Sequence, residues 1–327
     1  MVKNYIEEYA PINGIKQYFI HFSGNSDKPV VLYLHGGPGS SESLFAHYVE
    51  NENNGQYTMV YYDQRGSGKT YTKNKGAIPT MDLLQADLLE TVKYIKKKYN
   101  KDKVIILGHS FGSMLGSLFI KEHPEEVLCY IGAAQVIDIM ETEKFGYEKL
   151  LDAINKENNR KVLRKLDKIG TYPSENFDDD MMKKLVVIRK LQTKYKLCFG
   201  IDKRILGIVF KSPILQFSDF ISMLKAMKAN KALFHYLGEY SLYKYSTSYE
   251  VPIYYITGEN DYTTPHSISE KYFQGIEAPN KKIYLIKNAG HMAMIDNVVE
   301  YQRAVVDIIN LFCEKNSDII TNELSIP

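Results

Sequence analysis

The strongest chemical signal in the chain is the pentapeptide Gly108-His109-Ser110-Phe111-Gly112. It follows the apolar run VIIL at 104–107 and opens a second apolar stretch at 111–120. A strand that turns sharply into a helix lifts the side chain at the turn above the sheet edge. Such a turn has room only for small residues two before and two after it, which Gly108 and Gly112 supply. It also aims the first free N–H groups of the helix at whatever the serine attacks. Ser110 is therefore the candidate nucleophile.

A serine hydroxyl needs a base to take its proton and a carboxylate to orient that base. His291, in NAGHM at 288–292, lies between the last expected strand and the last expected helix and is the candidate base. Of the other seven histidines, His35 and His109 read as loop-shaping residues, and the rest as surface or packing residues. Asp261, in TGEND at 257–261, is the first choice for the acid, with Glu259 and Asp138 as alternatives. Negative charge on a reacting carbonyl requires backbone donors. HGGPG at 35–39 follows the buried run VVLYL, and the N–H groups of Gly37 and Phe111 are the candidate oxyanion donors. Each such donor is typically worth about 10²–10³ in rate.

These residues must be held by a sheet. Runs at 15–22, 30–34, 58–63, 104–108, 127–133, 252–257 and 282–287 read as strands. VVLYL and VIIL show no polar alternation, the mark of strands buried on both faces of a parallel sheet. Helical spacing predicts helices at 81–99, 110–123, 265–275 and 297–313, so the fold class is α/β. Residues 136–249 break the rhythm with Lys- and Glu-rich helical stretches and no convincing strand. They read as a helical insertion into a core formed by 1–135 and 250–327.

Composition narrows the function classes. Of 327 residues, 44% are hydrophobic and 24% charged, which excludes a disordered or collagen-like chain. A formal charge of +2, from 41 basic and 39 acidic residues, gives no electrostatic case for nucleic acid. Cys129, Cys198 and Cys313 form no paired motif and read as reduced thiols. With no apolar leader at the start and no long apolar span, a cytoplasmic location and no membrane partner are expected. No metal-ligand spacing occurs. Gly68-Lys69-Thr70 resembles the end of a phosphate loop, but Asp63 stands where that loop needs glycine. No cofactor is expected. Oligomeric state is not legible.

Taken together, HGGPG at 35–39, DQRGSGKT at 63–70, GHSFG at 108–112, GENDYTTP at 258–265 and NAGHMAMIDN at 288–297 resemble the α/β-hydrolase superfamily. More narrowly, they resemble its prolyl iminopeptidase-like serine aminopeptidases. The resemblance implies a mostly parallel eight-stranded sheet flanked by helices, with a helical cap inserted after the sixth strand, which fits 136–249. The order Ser110, Asp261, His291 is that of α/β-hydrolases. Asp63, Gln64 and Arg65 would brace the oxyanion loop. A serine at 110 sets the chain apart from dehalogenases and epoxide hydrolases, which use an aspartate. Family members that cleave N-terminal residues hold the free amine with carboxylates. Glu239 is the first candidate for that substrate contact, with Glu175 and Asp219 behind it, whereas Tyr262 stands where a second carboxylate can follow the acid. The resemblance thus implies a serine hydrolase acting by acyl transfer on a small amide or a peptide N-terminus. A carboxylesterase for small acyl esters is the alternative. A homologue that binds a small ligand without turnover is the third reading.

Overall fold

The structure is a computed structural model describing residues 5–22, 28–53, 55–198 and 202–313. Eight strands form one sheet: β1 (Tyr5–Ile12), β2 (Ile15–Phe22), β3 (Val30–Leu34), β4 (Thr58–Asp63), β5 (Val104–His109), β6 (Val127–Ala133), β7 (Ile253–Gly258) and β8 (Lys281–Ile286). Their order across the sheet is β1-β2-β4-β3-β5-β6-β7-β8. β1 pairs antiparallel with β2 and β2 antiparallel with β4, and every other pairing is parallel.

The apolar runs explain why the middle of the sheet is buried on both sides. Successive side chains of a strand point to opposite faces. Val30, Leu32 and Leu34 of β3 accordingly join one core with Val104 and Ile106 of β5. Val31, Tyr33, Ile105 and Leu107 join the other. The helices among the described residues are α1 (Ser43–Val49), α2 (Gly68–Lys73), α3 (Met81–Tyr99), α4 (Phe111–Glu122), α5 (Ile139–Lys156), α6 (Arg160–Asp167), α7 (Asp179–Lys194), α8 (Lys203–Phe210), α9 (Phe217–Ala229), α10 (Lys231–Glu239), α11 (His266–Gln274), α12 (Ala293–Asp296) and α13 (Val298–Cys313). Leu84, Leu88, Val92 and Ile95 of α3 fill the first core, and Val305, Ile308 and Ile309 of α13 the second. None of the helices among the described residues is long and apolar enough to cross a membrane.

β1 is the strand that sequence patterning does not predict. Its run YIEEYAPI contains two glutamates and a proline, and it lies at the sheet edge, where pairing is needed on one side only.

Between β6 and β7 the chain builds α5 to α10, with no strand among the described residues. Leu150, Ile154, Leu166, Met181 and Ile188 form a small core within this segment. β6 and β7 are neighbours in the sheet, so the segment leaves and returns at one place. Its neck is closed by a bridge between Asp138 and Ser241, where the Leu242 amide donates to the Ile137 carbonyl at 2.7 Å.

Candidate active site

β5 ends at His109, and Ser110 occupies the turn into α4 with φ at +52°, a region that L-residues other than glycine, asparagine and aspartate rarely adopt. The neighbouring glycines make the turn sterically possible. A Cβ on Gly112 would overlap the Leu34 carbonyl oxygen, and one on Gly108 would stand 2.5 Å from the Gly112 carbonyl. The Ser110 amide donates to Ala133 at the end of β6, 3.0 Å away, and fixes the turn to the sheet.

The hydroxyl of Ser110 lies 3.0 Å from His291 Nε2. On the other side of that ring, Nδ1 stands 3.0 Å from Asp261 Oδ2. Asp261 is buried and saturated. Its Oδ1 accepts the amides of Thr263 and Thr264, and its Oδ2 accepts the Thr264 hydroxyl at 2.6 Å. Burial alone disfavours the carboxylate. The charge of His291 and the bonds from His291 and Thr264 outweigh it and hold the group below the ordinary aspartate range. An ionised Asp261 keeps the imidazole proton on Nδ1 and leaves Nε2 as an acceptor toward Ser110. The two alternative acids are engaged elsewhere: Glu259 accepts the Asn288 amide at 3.0 Å, and Asp138 caps α5 through the Glu141 amide.

Gly36 and Gly37 face this group. A Cβ on Gly36 would stand 3.1 Å from Ser110 Cβ, so the loop approaches the serine as closely as backbone can. Phe111 is the first residue of α4, where a helix amide has no intrahelical acceptor. Gly37, Ser110, His291 and Thr263 line one cavity of about 240 Å³, joined there by Arg189 and Cys198 of the inserted segment. The loop behind Gly37 is tied to DQR. The Gln64 side chain donates to the His35 carbonyl at 3.0 Å, and the Gln64 amide donates to His35 Nε2 at 3.1 Å. Arg65 forms a two-point pair with buried Asp87.

One residue beside the candidate site has no sequence signal. Glu42 is buried beside the site and accepts from the Gly36 amide, the Tyr33 hydroxyl and the His109 ring, at 3.2, 2.6 and 2.9 Å. The other nitrogen of His109 donates to the His291 carbonyl at 3.0 Å. One carboxylate thus joins the loop at 35–39, the strand before Ser110 and, through His109, the loop that carries His291. Burial opposes charge on both partners, but their mutual attraction prevails: Glu42 is held below the ordinary glutamate range and His109 above the ordinary imidazole range. Loops 67 residues apart meet here, so only the fold reveals the contact.

The candidate amine anchors do not gather around Ser110. Glu239 is exposed at the end of α10, and Glu175 is exposed before α7. Asp219 is buried but pairs with Lys69 through both oxygens, at 2.8 and 3.1 Å. That pairing also accounts for the lysine of the GKT sequence. The charged side chain of the inserted segment that lines the Ser110 cavity is a cation, Arg189. Its guanidinium pairs with buried Glu143 and donates to Gln192 at 2.5 Å.

Comparison with known proteins gives a consistent picture. The family model described as the alpha/beta hydrolase fold matches residues 29–298. A Bacillus subtilis protein named "Probable aminopeptidase YbaC" is 25% identical, over 87% of this chain and 90% of its own length. A proline iminopeptidase of Heyndrickxia coagulans is 24% identical, over 94% of this chain and 99% of its own. Among solved structures, a proline iminopeptidase-related protein of Thermus thermophilus superposes with a TM-score of 0.62 at 19% identity, covering 93% of this chain and 96% of that one. An esterase of Exiguobacterium antarcticum superposes with a TM-score of 0.56 at 16% identity, covering 93% of this chain and all of its own. At these identities the superpositions show the fold.

Proposed function

The chain belongs to the alpha/beta hydrolase family, and from that premise we propose that it is a serine hydrolase working by acyl transfer through Ser110. The observation that supports this reading is the continuous contact from Ser110 Oγ through His291 to Asp261, with both steps at 3.0 Å. Nε2 of His291 takes the hydroxyl proton as Oγ bonds to the substrate carbonyl carbon. The Gly37 and Phe111 amides hold the negative oxygen of the tetrahedral intermediate. Its collapse breaks the bond to the leaving group, which takes the proton from His291. Water then attacks the acyl-enzyme by the same route in reverse, giving the acid and restoring Ser110. Asp261 keeps the imidazole oriented and stabilises its cation. The segment at 136–249 acts as a cap, consistent with the two cavity-lining residues it contributes.

For the substrate we propose a small amide or peptide N-terminus, in line with relatives named as aminopeptidase and proline iminopeptidase that align over most of the chain. A carboxylesterase reading is favoured by one observation: the charged cap residue in the Ser110 cavity is Arg189, already paired with Glu143, and among the described residues the cap contributes no carboxylate to that cavity to receive a substrate ammonium. Two experiments test these readings. A fluorophosphonate probe is expected to label wild type and not Ser110→Ala; an unlabelled wild type would falsify the nucleophile. Prolyl-, alanyl- and leucyl-arylamides set against p-nitrophenyl acetate and butyrate separate the substrates. Ester turnover with no arylamide cleavage rejects the peptidase in favour of the esterase.

A further inference from the structure

α9 carries its side chains inside out. Among its described side chains the buried ones are Asp219 and Ser222, with Ala226 against Gly39 of the oxyanion loop. Phe217, Phe220, Ile221 and Leu224 are exposed, Phe217 by 79% and Leu224 by 86%. Their spacing is i, i+3, i+4 and i+7, which is one face of a helix. Phe210, at the end of α8 and 64% exposed, extends the face, with its ring 6.1 Å from that of Phe220. A soluble helix normally turns such a stripe toward the core, and a contiguous exposed stripe marks an interaction surface.

The charges around it select the partner. Residues 202–231 contain six basic residues and two acids: Asp202, exposed at the N-cap of α8, and Asp219, buried against Lys69. Arg204 pairs with Asp296, and Lys231 lies 3.8 Å from Asp179. Lys203, Lys211, Lys225 and Lys228 have no ion pair among the described residues. On the helix, Lys228 falls within the apolar arc and Lys225 at its edge. The chain as a whole is nearly neutral, so this concentration is local. An apolar stripe whose accompanying charges are mostly cations complements an anionic lipid surface, with the rings in the acyl boundary and the ammonium groups reaching the headgroups. A second copy of the chain docked by the same face would set cation against cation.

We propose that α8 and α9 form a docking face for anionic lipid surfaces, against the composition-based expectation of no membrane partner. The face lies next to the candidate site. Met223, half exposed beside the stripe, also lines a cavity of about 220 Å³ that reaches Ser40 and Glu42. Both of those residues border the Ser110 cavity as well.

Co-sedimentation with vesicles tests the proposal independently of any hydrolysis. Wild type is expected to pellet with phosphatidylcholine vesicles containing phosphatidylglycerol, to pellet far less with phosphatidylcholine alone, and to be released by added salt. One cation near such a surface is worth about a fivefold change in partition. The double reversal Lys225→Glu with Lys228→Glu is therefore expected to lower binding more than about twentyfold. Phe217→Ser with Leu224→Ser should lower binding by at least about tenfold, with circular dichroism and melting unchanged, since both side chains are exposed. Equal binding to neutral and anionic vesicles, or undiminished binding by either double variant, overturns the proposal. So does a wild-type dimer in sedimentation velocity that the serine variant dissociates, which would assign the face to a second copy.

Discussion

Replacing Asp261 by asparagine should stop turnover while sparing the fold, and the reason lies in which nitrogen of His291 carries the proton. Two backbone amides point at Oδ1 from 2.8 and 2.9 Å, so the carboxamide oxygen must occupy that position. The amide NH₂ then takes the place of Oδ2 and faces His291 Nδ1. It donates there, the ring proton moves to Nε2, and the nitrogen 3.0 Å from Ser110 can no longer accept. The same exchange in a Ser-His-Asp protease lowers kcat about 10⁴-fold, roughly 5.5 kcal/mol of transition-state stabilisation. Here the loss should fall on kcat with KM little changed, because Asp261 touches no substrate. Initial rates on a p-nitrophenyl ester, beside thermal melting of both proteins, measure it. An Asp261→Asn enzyme that melts like wild type and keeps more than a tenth of its kcat refutes the orienting role, and Glu259 or Asp138 would need testing in its place.

Three further outcomes follow from particular contacts. Ser110→Ala and His291→Ala should each remove nearly all activity, and the double variant should be no worse than either, since the two groups act as one unit; additive losses in kcat count against the pairing. Glu50, buried among Tyr61, Asn53 and Tyr57, has its carboxyl pushed by burial from 4.5 up to about 7, despite the bonds that Tyr61 and Asn53 donate. The folded state therefore holds this proton more tightly than the unfolded chain, and wild type loses roughly 3 kcal/mol as pH rises from 4.5 through about 7. Glu50→Gln has no such loss, so its stability relative to wild type should rise by about that amount between about pH 4 and pH 8 in urea titrations; a difference independent of pH contradicts the burial account. Finally, Gly112→Ala should fail to fold stably, because its methyl meets the Leu34 backbone, whereas Gly207→Ala in α8 meets open space and should add up to about 1 kcal/mol in the same titrations.

The parts legible from sequence are those whose physics is local. Seven of the eight strands declare themselves by short β-rich runs, and Ser110 by the two glycines its turn demands. His291 is legible because it follows β8 and precedes the final helices. Contacts between distant segments are not. Glu42 sits in an unremarkable run of serines, and its role depends on His109 and Tyr33, which only the sheet brings alongside. The residues that the inserted helices present to Ser110 depend on how those helices pack, which spacing does not reveal: the family resemblance suggests Glu239, Glu175 and Asp219, while folding brings Arg189 to the cavity. β1 is illegible for a third reason: an edge strand needs little apolar character.

The closed neck between Asp138 and Ser241 has a consequence for how this molecule can change. Both ends of the inserted helices are anchored beside each other, on strands whose register is set without them. Between them, however, α8 and α9 are tied to the floor of the molecule: Asp219 pairs with Lys69, the Asn230 side chain donates to the Gly66 carbonyl, and Ile205, Ile208 and Val209 enter the second core. The stretch that can be rebuilt while the hydroxyl, ring and carboxylate keep their places is therefore α6 and α7, whose buried apolar side chains pack within the inserted segment, and an engineer seeking a new substrate should graft a foreign segment there.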